Sequence, residues 1–596
     1  MRKKNIKILK YNIKNLSFKN IVFFIINFMI FWFFFNFFSF CETFKGDFFK
    51  KLISAILKIE NISFFPKTSI LESFIYAIVV IVIFNLYFKS RKKNKKNYRQ
   101  RIEYGSARWG TKDDIKPFIN PIFSKNIILT QTEFLTMESR TKNSKYARNK
   151  NMLIIGGSGT GKTRYILKPN LMQAHSSYVV ADSKGTVLLE TGELFKKLKY
   201  KVKIFNLVNF QKSMKYNPFV YIKTEDDILL FIETLIENTK GEGSGAEQDF
   251  WIKAEKMLLM AIVGYIFYEL DESEWTFESM VDILQLGRKS QNGANALDEL
   301  FYELEEKNEK HFAVLQYNSY ISGATETKQS IVISCLARLA VFSIKGVREL
   351  TNYDEMEIDK IGDRKTVTYI ILPDTHKTYN FLASIMYTQM FNSLIKKADD
   401  EYGGRLPIHI RFLLDEFVNS GKVPNFENII SVIRSREMSV AIFLQSKAQL
   451  KAIYKDHTDT IIENCDSYIF LGGQAGETIK NLSEDLGKET IDMINTNDSR
   501  GMHPSHGVNF QITGRELMTK DEIMTMDGDR CILFLRGVRP FFSKKYDITK
   551  HKYYKYLSDF NKKNKFDINK FLCKERGDVV LDDETIIQIY ELEKIS

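Results

Sequence analysis

A short apolar run at residues 151–155 (NMLII) leads without a break into Gly156-Gly157-Ser158-Gly159-Thr160-Gly161-Lys162-Thr163, and a helical stretch follows to about Pro169. This is G-x-x-x-x-G-K-[ST] in the order strand, loop, helix, a context that constrains the fold more tightly than anything else in the chain. Glycines allow backbone N–H groups to turn inward around a β-phosphate. Lys162 would bring its charge to the β- and γ-phosphates, and the Thr163 hydroxyl would ligate Mg2+. The expected ligands are ATP and Mg2+.

A loop of this kind needs a carboxylate beside it for the metal. Residues 408–414 form an apolar strand candidate that runs into Asp415-Glu416. Asp415 would hold Mg2+, and Glu416 would orient and polarise an attacking water. A further strand candidate, residues 439–444, ends in Gln445, placed to sense a γ-phosphate unless it is an ordinary surface residue. Between these two, residues 426–436 read as a helix carrying Arg434 and Arg436. Either could reach a neighbouring subunit's nucleotide as an arginine finger, Arg434 being preferred. A solvated or DNA-facing pair is the other reading.

More strand candidates lie at residues 178–181, 202–205, 367–372 and 467–471. Strands alternating with helical patterns imply an α/β chain with a mainly parallel sheet covered on both faces. Residues 224–342 carry helical patterns and few strand runs, which reads as an inserted all-helical domain. It would divide a nucleotide-binding domain into residues 102–223 and 343–565. A tail, residues 566–596, ends in an acidic helix candidate at 582–594. A length of 596 residues suits several domains, and 27% charged with 44% hydrophobic residues is a globular composition.

Residues 1–101 have a different character. Residues 21–40 and 70–88 are apolar runs, the first about 20 residues or about 30 Å of helix, and Lys and Arg flank the pair on its outer sides. The expectation is a two-helix membrane anchor with both termini cytoplasmic, hence a multi-pass membrane location. No cleavage site follows the first run, which argues against a signal peptide. Part of the net charge of +13 lies in those flanks, so charge alone does not establish a DNA partner. Five scattered cysteines without a CxxC suggest neither disulfides nor a zinc site. His503 and His506 read as part of a surface loop.

These motifs resemble the type IV coupling proteins, the TraG/TraD-like ATPases of conjugation and type IV secretion. The resemblance begins at Gly105-Ser-Ala-Arg-Trp-Gly and continues through the phosphate loop, Asp182-Ser-Lys-Gly, Tyr216-Asn-Pro-Phe219 and Asp249-Phe-Trp251. It extends to Leu414-Asp-Glu-Phe417, Arg434-Ser-Arg436, Leu444-Gln-Ser446, Asn464-Cys465 and Leu471-Gly472. Ser183 stands where the family usually has proline. The resemblance implies a RecA-like core, a homo-hexameric ring, an inserted all-α domain and a two-helix transmembrane anchor. It also implies partners: DNA, single-stranded and carried by a relaxase, or protein cargo, together with the channel proteins and the membrane. Two other readings stay open: an FtsK-like DNA translocase, and a substrate receptor in which ATP acts as a switch rather than a fuel.

Overall fold

The computed structural model describes residues 18–63, 65, 70–93, 102–141, 143–239, 246–288, 295–323, 327–499 and 505–576. The chain divides into two compact units, Met1–Glu103 and Tyr104–Ser596. The acidic helix candidate at 582–594 and His503 lie outside the described residues.

In the first unit, helices span Phe18–Cys41, Phe48–Leu57 and Ile70–Lys93. Both apolar runs are thus helical, but the membrane expectation is corrected. Among the described residues, no helix is long and apolar enough to cross a membrane. Polar side chains interrupt both runs: Asn85 Nδ2 donates to Asn27 Oδ1 at 2.9 Å, and Asn36 Nδ2 donates to the Trp32 carbonyl at 2.8 Å. Phe35, Phe37, Cys41, Ala55 and Ala77 are buried within the unit.

The second unit is built on one sheet. A small antiparallel ribbon, β1 (Asn126–Ile128) and β2 (Phe134–Thr136), precedes it. The sheet strands are β3 (Met152–Ile155), β4 (Ser177–Asp182), β5 (Lys201–Asn206), β6 (Thr366–Ile371), β7 (Ile410–Leu414), β8 (Met438–Leu444) and β9 (Ser467–Phe470). After a separate ribbon, β10 (Lys488–Ser499) and β11 (Ser505–Glu516), come β12 (Arg530–Leu535) and β13 (Phe541–Lys544). The spatial order is β13-β12-β9-β3-β8-β7-β4-β6-β5. The run from β9 to β5 is parallel, and β12 and β13 close the edge in antiparallel fashion.

The central strands are buried and largely apolar because both faces are covered. Side chains alternate between two cores. Leu153, Ile155, Val179 and Ala181 enter one core, while Met152, Ile154, Tyr178 and Val180 enter the other. Among the described residues, seven α-helices between β5 and β6, from Glu225–Thr239 to Lys345–Thr351, share the first of these cores. Ring contacts among Phe219, Phe231, Phe277 and Phe342 tie these helices to the turn Pro218–Tyr221 that follows β5. Asn217, in the Tyr216-Asn-Pro-Phe219 turn, donates to the carbonyl of Trp275 at 2.7 Å and so fastens helix and sheet regions together.

The segment around His506 is not a loop. It forms the β10–β11 ribbon, in which His506 pairs with Asp498. Val508, Phe510 and Ile512 alternate with polar residues, the period of a strand, but no strong two-residue turn signature joins the two strands.

Among the helices, Arg338 and Glu255 form an ion pair whose side chains are almost fully buried, and Arg338 also donates to Thr239 Oγ1 at 2.8 Å. Removing one partner strands a buried charge. Glu255→Ala should therefore lower stability by about 3–5 kcal/mol in urea unfolding. A loss under about 1 kcal/mol would show that water reaches the pair.

Candidate nucleotide site

The loop at residues 156–163 leaves the carboxyl end of β3 and is held from both sides. Gly156 N–H donates to the Leu444 carbonyl of β8 at 3.0 Å, and Gly157 N–H donates to the Gly472 carbonyl after β9, also at 3.0 Å. Gly159 and Gly161 have φ of +79° and +84°, which L side chains rarely adopt. A Cβ on Gly161 would lie 2.4 Å from the Tyr165 ring. The helix that follows opens with a wide π turn, Thr163–Leu167, a distortion often found at functional sites.

Thr163 Oγ1 donates to Asp415 Oδ2 at 3.0 Å. This contact brings the end of β7 against the loop across 252 residues of sequence. Burial raises the Asp415 carboxyl above its ordinary range, opposed by the Thr163 hydroxyl and the Lys162 charge. Burial likewise lowers the Lys162 ammonium, opposed by Asp415 and Glu416. Lys162 Nζ donates to the Gly156 carbonyl at 2.8 Å. Glu416, half-buried, sits in the left-handed region at φ +50°, and Asn419 Nδ2 donates to its Oε2 at 3.0 Å. A non-glycine residue held there is a strained position of the kind that clusters at active sites. Gln445 is exposed directly after β8, beside the start of the loop, and its N–H donates to Gln449 Oε1 at 2.8 Å.

Lys162, Thr163, Asp415, Glu416 and Gln445 therefore share the carboxyl edge of the sheet. Arg434 does not. It lies in the short turn Ile433–Arg436 before β8, at the amino edge, roughly 20 Å along the strand direction from the loop. There Arg434 is exposed, whereas Arg436 is tied to Asp399 at 2.7 Å.

Two further residues of this edge carry no assigned role in the sequence, although Asp182 lies in one of its motifs. Asp182 ends β4, next to β7, where Ala181 pairs with Leu414, so the carboxylates of Asp182 and Asp415 end neighbouring strands. Asp182 accepts from Leu188 N–H at 3.0 Å and Lys184 N–H at 3.3 Å, which fixes the turn into the next helix. Lys545, buried after β13, donates to the Thr160 carbonyl at 2.9 Å and so holds the loop from the sheet edge. No spacing in the sequence could have paired residues so far apart.

The donor set fits a nucleotide and its metal. Among the described residues, the N–H groups of Ser158, Gly159 and Gly161 are not used in loop or turn backbone bonds, and the first helical turn adds its own free donors. Lys162 offers a cation, while Thr163 and Asp415 offer two oxygen donors of the kind Mg2+ prefers.

Burial pushes Asp182 up to about 6 from 3.8. A carboxyl raised on folding contributes stability that is full below its unfolded value and is lost as pH rises through its folded value. The stability of wild type relative to Asp182→Asn should therefore fall by roughly 2–3 kcal/mol between about pH 4 and pH 7, measured by denaturant titration. A flat difference would show Asp182 to be solvated.

Comparison with known proteins agrees with this geometry. The family model described as Type IV secretory system Conjugative DNA transfer matches residues 113–574. The type IV secretion system-coupling protein VirD4 of Bartonella quintana (strain Toulouse) is 23% identical over 404 residues, covering 65% of this chain and 61% of that protein. The protein VirD4 of Rhizobium radiobacter is 23% identical over 446 residues, covering 73% of this chain and 61% of its own length. The chain thus spans about three-fifths of the curated relatives it matches. Among solved structures, the bacterial conjugative coupling protein TrwBdeltaN70 superposes with a TM-score of 0.55 at 13% identity, covering 76% of this chain and 98% of that one. TrwB in complex with the non-hydrolysable ATP analogue ADPNP gives 0.55 at 15% identity, covering 76% and 96%. At such identities these structures speak to the fold, which is an α/β core of the same kind. With the family model covering most of its length, the chain belongs to the type IV secretory system conjugative DNA transfer family.

Proposed function

We propose that this chain is a type IV secretion coupling ATPase, which binds ATP with Mg2+ at residues 156–163 and uses hydrolysis to drive DNA with its relaxase, or protein cargo, toward the secretion channel. The observation that carries the reading is the Thr163–Asp415 hydrogen bond at 3.0 Å, which joins a phosphate loop to the acidic end of a neighbouring strand system. Family membership supplies the substrate class. A solved relative in complex with ADP and Mg2+ supports the ligand pair.

In this reading the loop N–H groups and Lys162 bind the phosphates, and Thr163 and Asp415 hold the metal. Bound Mg2+ supplies neutralisation of charge on the phosphate oxygens. Glu416 sits one residue beyond Asp415, where its carboxylate, oriented by Asn419, accepts a proton from attacking water. Gln445, beside the loop, contacts the terminal phosphate. Arg434 is on the wrong edge to serve its own loop, so as a finger it acts on a neighbouring copy's nucleotide in a homo-hexameric ring. The helices between β5 and β6 act as the inserted domain at the mouth of that ring.

ATP hydrolysis by the purified chain, with and without single-stranded and duplex DNA, tests the reading. DNA should stimulate turnover. Glu416→Gln should keep ATP binding while lowering kcat by about a hundredfold or more, and Lys162→Ala should lose tight binding. Transfer that persists in Glu416→Gln would favour the ATP switch over the motor.

Arg434→Ala should abolish turnover on its own, and mixing it with Lys162→Ala chains should restore part of the activity. In such mixed rings an intact loop can meet an intact arginine. Absence of complementation would remove Arg434 from the chemistry.

A further inference from the structure

A second polar cavity, of about 480 Å3, opens at the amino edge of the same sheet, away from the phosphate loop. Three lysines line it, Lys125, Lys365 and Lys552, against one carboxylate, Glu138. Asn120 Nδ2 already donates to Glu138 at 2.7 Å. Lys365 is anchored by donating to the Ala174 carbonyl at 3.0 Å and lies over the Tyr200 ring. Ala174 itself has φ +51°, a conformation a non-glycine residue adopts only when its surroundings enforce it. The turn that carries Lys365's acceptor is therefore held in place.

Two imidazoles, those of His175 and His409, stand in the wall with the lysines. His175 lines the cavity, and its Nε2 is buried with no hydrogen-bond partner among the described residues. Arg411 on β7 is fully buried, donating to Asn170 Oδ1 and Met152 Sδ, and its Nε is unpartnered. No carboxylate pairs with it among the described ion pairs. Its charge acts on both His175 and His409, the two imidazoles of the cavity wall. The His409 nitrogens are already taken by Glu437 and Ser439. Arg411 does not itself line the cavity, so its charge reaches the wall only through the two imidazoles. Tyr553 supplies an aromatic wall beside Lys552. The volume falls in the range of small-molecule pockets.

We propose that this cavity is a second anion site, separate from the phosphate loop, that takes a small phosphorylated ligand such as pyrophosphate or a nucleoside phosphate. Three ammonium groups spread around one cavity suit a ligand with several charged oxygens, and the tyrosine suits a ring attached to it. Phosphate carried on a DNA strand presents the same chemistry from a different source, and the experiment separates the two.

The test is calorimetric titration of the full chain carrying Lys162→Ala, which disables the phosphate loop, with pyrophosphate and separately with an oligothymidylate. Saturable pyrophosphate binding, weakened about tenfold or more by Lys365→Glu and by the pair Lys125→Glu/Lys552→Glu, supports the site. The pair leaves the Ala174 turn untouched, so a loss there does not come from misfolding of that turn. Three outcomes overturn the proposal: no pyrophosphate binding, binding indifferent to all three lysines, or lysine-dependent binding of the oligomer alone. None of them bears on whether the phosphate loop hydrolyses ATP, so this proposal and the coupling ATPase reading can fail separately.

Discussion

Two carboxylates end adjacent parallel strands, and the register that puts them there governs the rest of the molecule. Ala181 pairs with Leu414, so Asp182 and Asp415 emerge at the same level, both buried and both raised above the ordinary carboxylate range. Such a pair is tolerable only because each acid is hydrogen-bonded: Asp182 by two backbone N–H groups, Asp415 by Thr163. A slip of one residue in β7 would turn its apolar side chains to the wrong cores and carry Asp415 away from the loop. The apolar alternation that builds the cores and the chemistry at the carboxyl edge are thus one constraint.

Around that edge, the loop borrows its shape from distant parts of the chain. Carbonyls at the end of β8 and just after β9 fix Gly156 and Gly157, and Lys545 fixes Thr160. The edge strands that bring Lys545 are themselves seated by the segment after Gly105. Trp109 stacks on Phe542, and Gly110 N–H donates to the Pro540 carbonyl at 2.6 Å, where a Cβ on Gly110 would strike the Phe541 ring. Glycine at that position is a condition for the close approach, and through it for the loop's support.

What the sequence made legible follows from how local its signals are. Asp415, Glu416 and Gln445 stand at the ends of apolar runs and Lys162 and Thr163 close a glycine-rich loop that leaves another, so strand periodicity and the loop motif together gather them at one edge. Asp182 was read as part of a motif without its partnership, because a neighbouring strand is not a neighbour in sequence. Lys545 gave no signal, since a lysine after an edge strand looks like any surface cation. The β10–β11 ribbon had a local signal in the alternation of Val508, Phe510 and Ile512, but no turn signature marks its partner strand. The membrane reading came from hydropathy of whole runs, and it gave way where Asn27, Asn36 and Asn85 make polar contacts within the helical unit. Arg434 was located correctly before β8, but periodicity carries no information on which edge a turn occupies relative to its own nucleotide loop.

Phe566 packs so closely over the helix Thr186–Lys197 that a Cβ on Gly192 would meet its ring at 2.6 Å. The first helix-covered strands and the residue that seals them are therefore far apart in the chain. While the chain is being made, the early βα units emerge with their cores open, and β8, β9 and β12 must still be interleaved among strands already present. Folding of this unit is governed by non-local contacts, which makes it slow and late. Native closure of the nucleotide edge waits for β12, β13 and Lys545, and a ribosome-bound chain that has not reached them holds the loop without the parts that shape it.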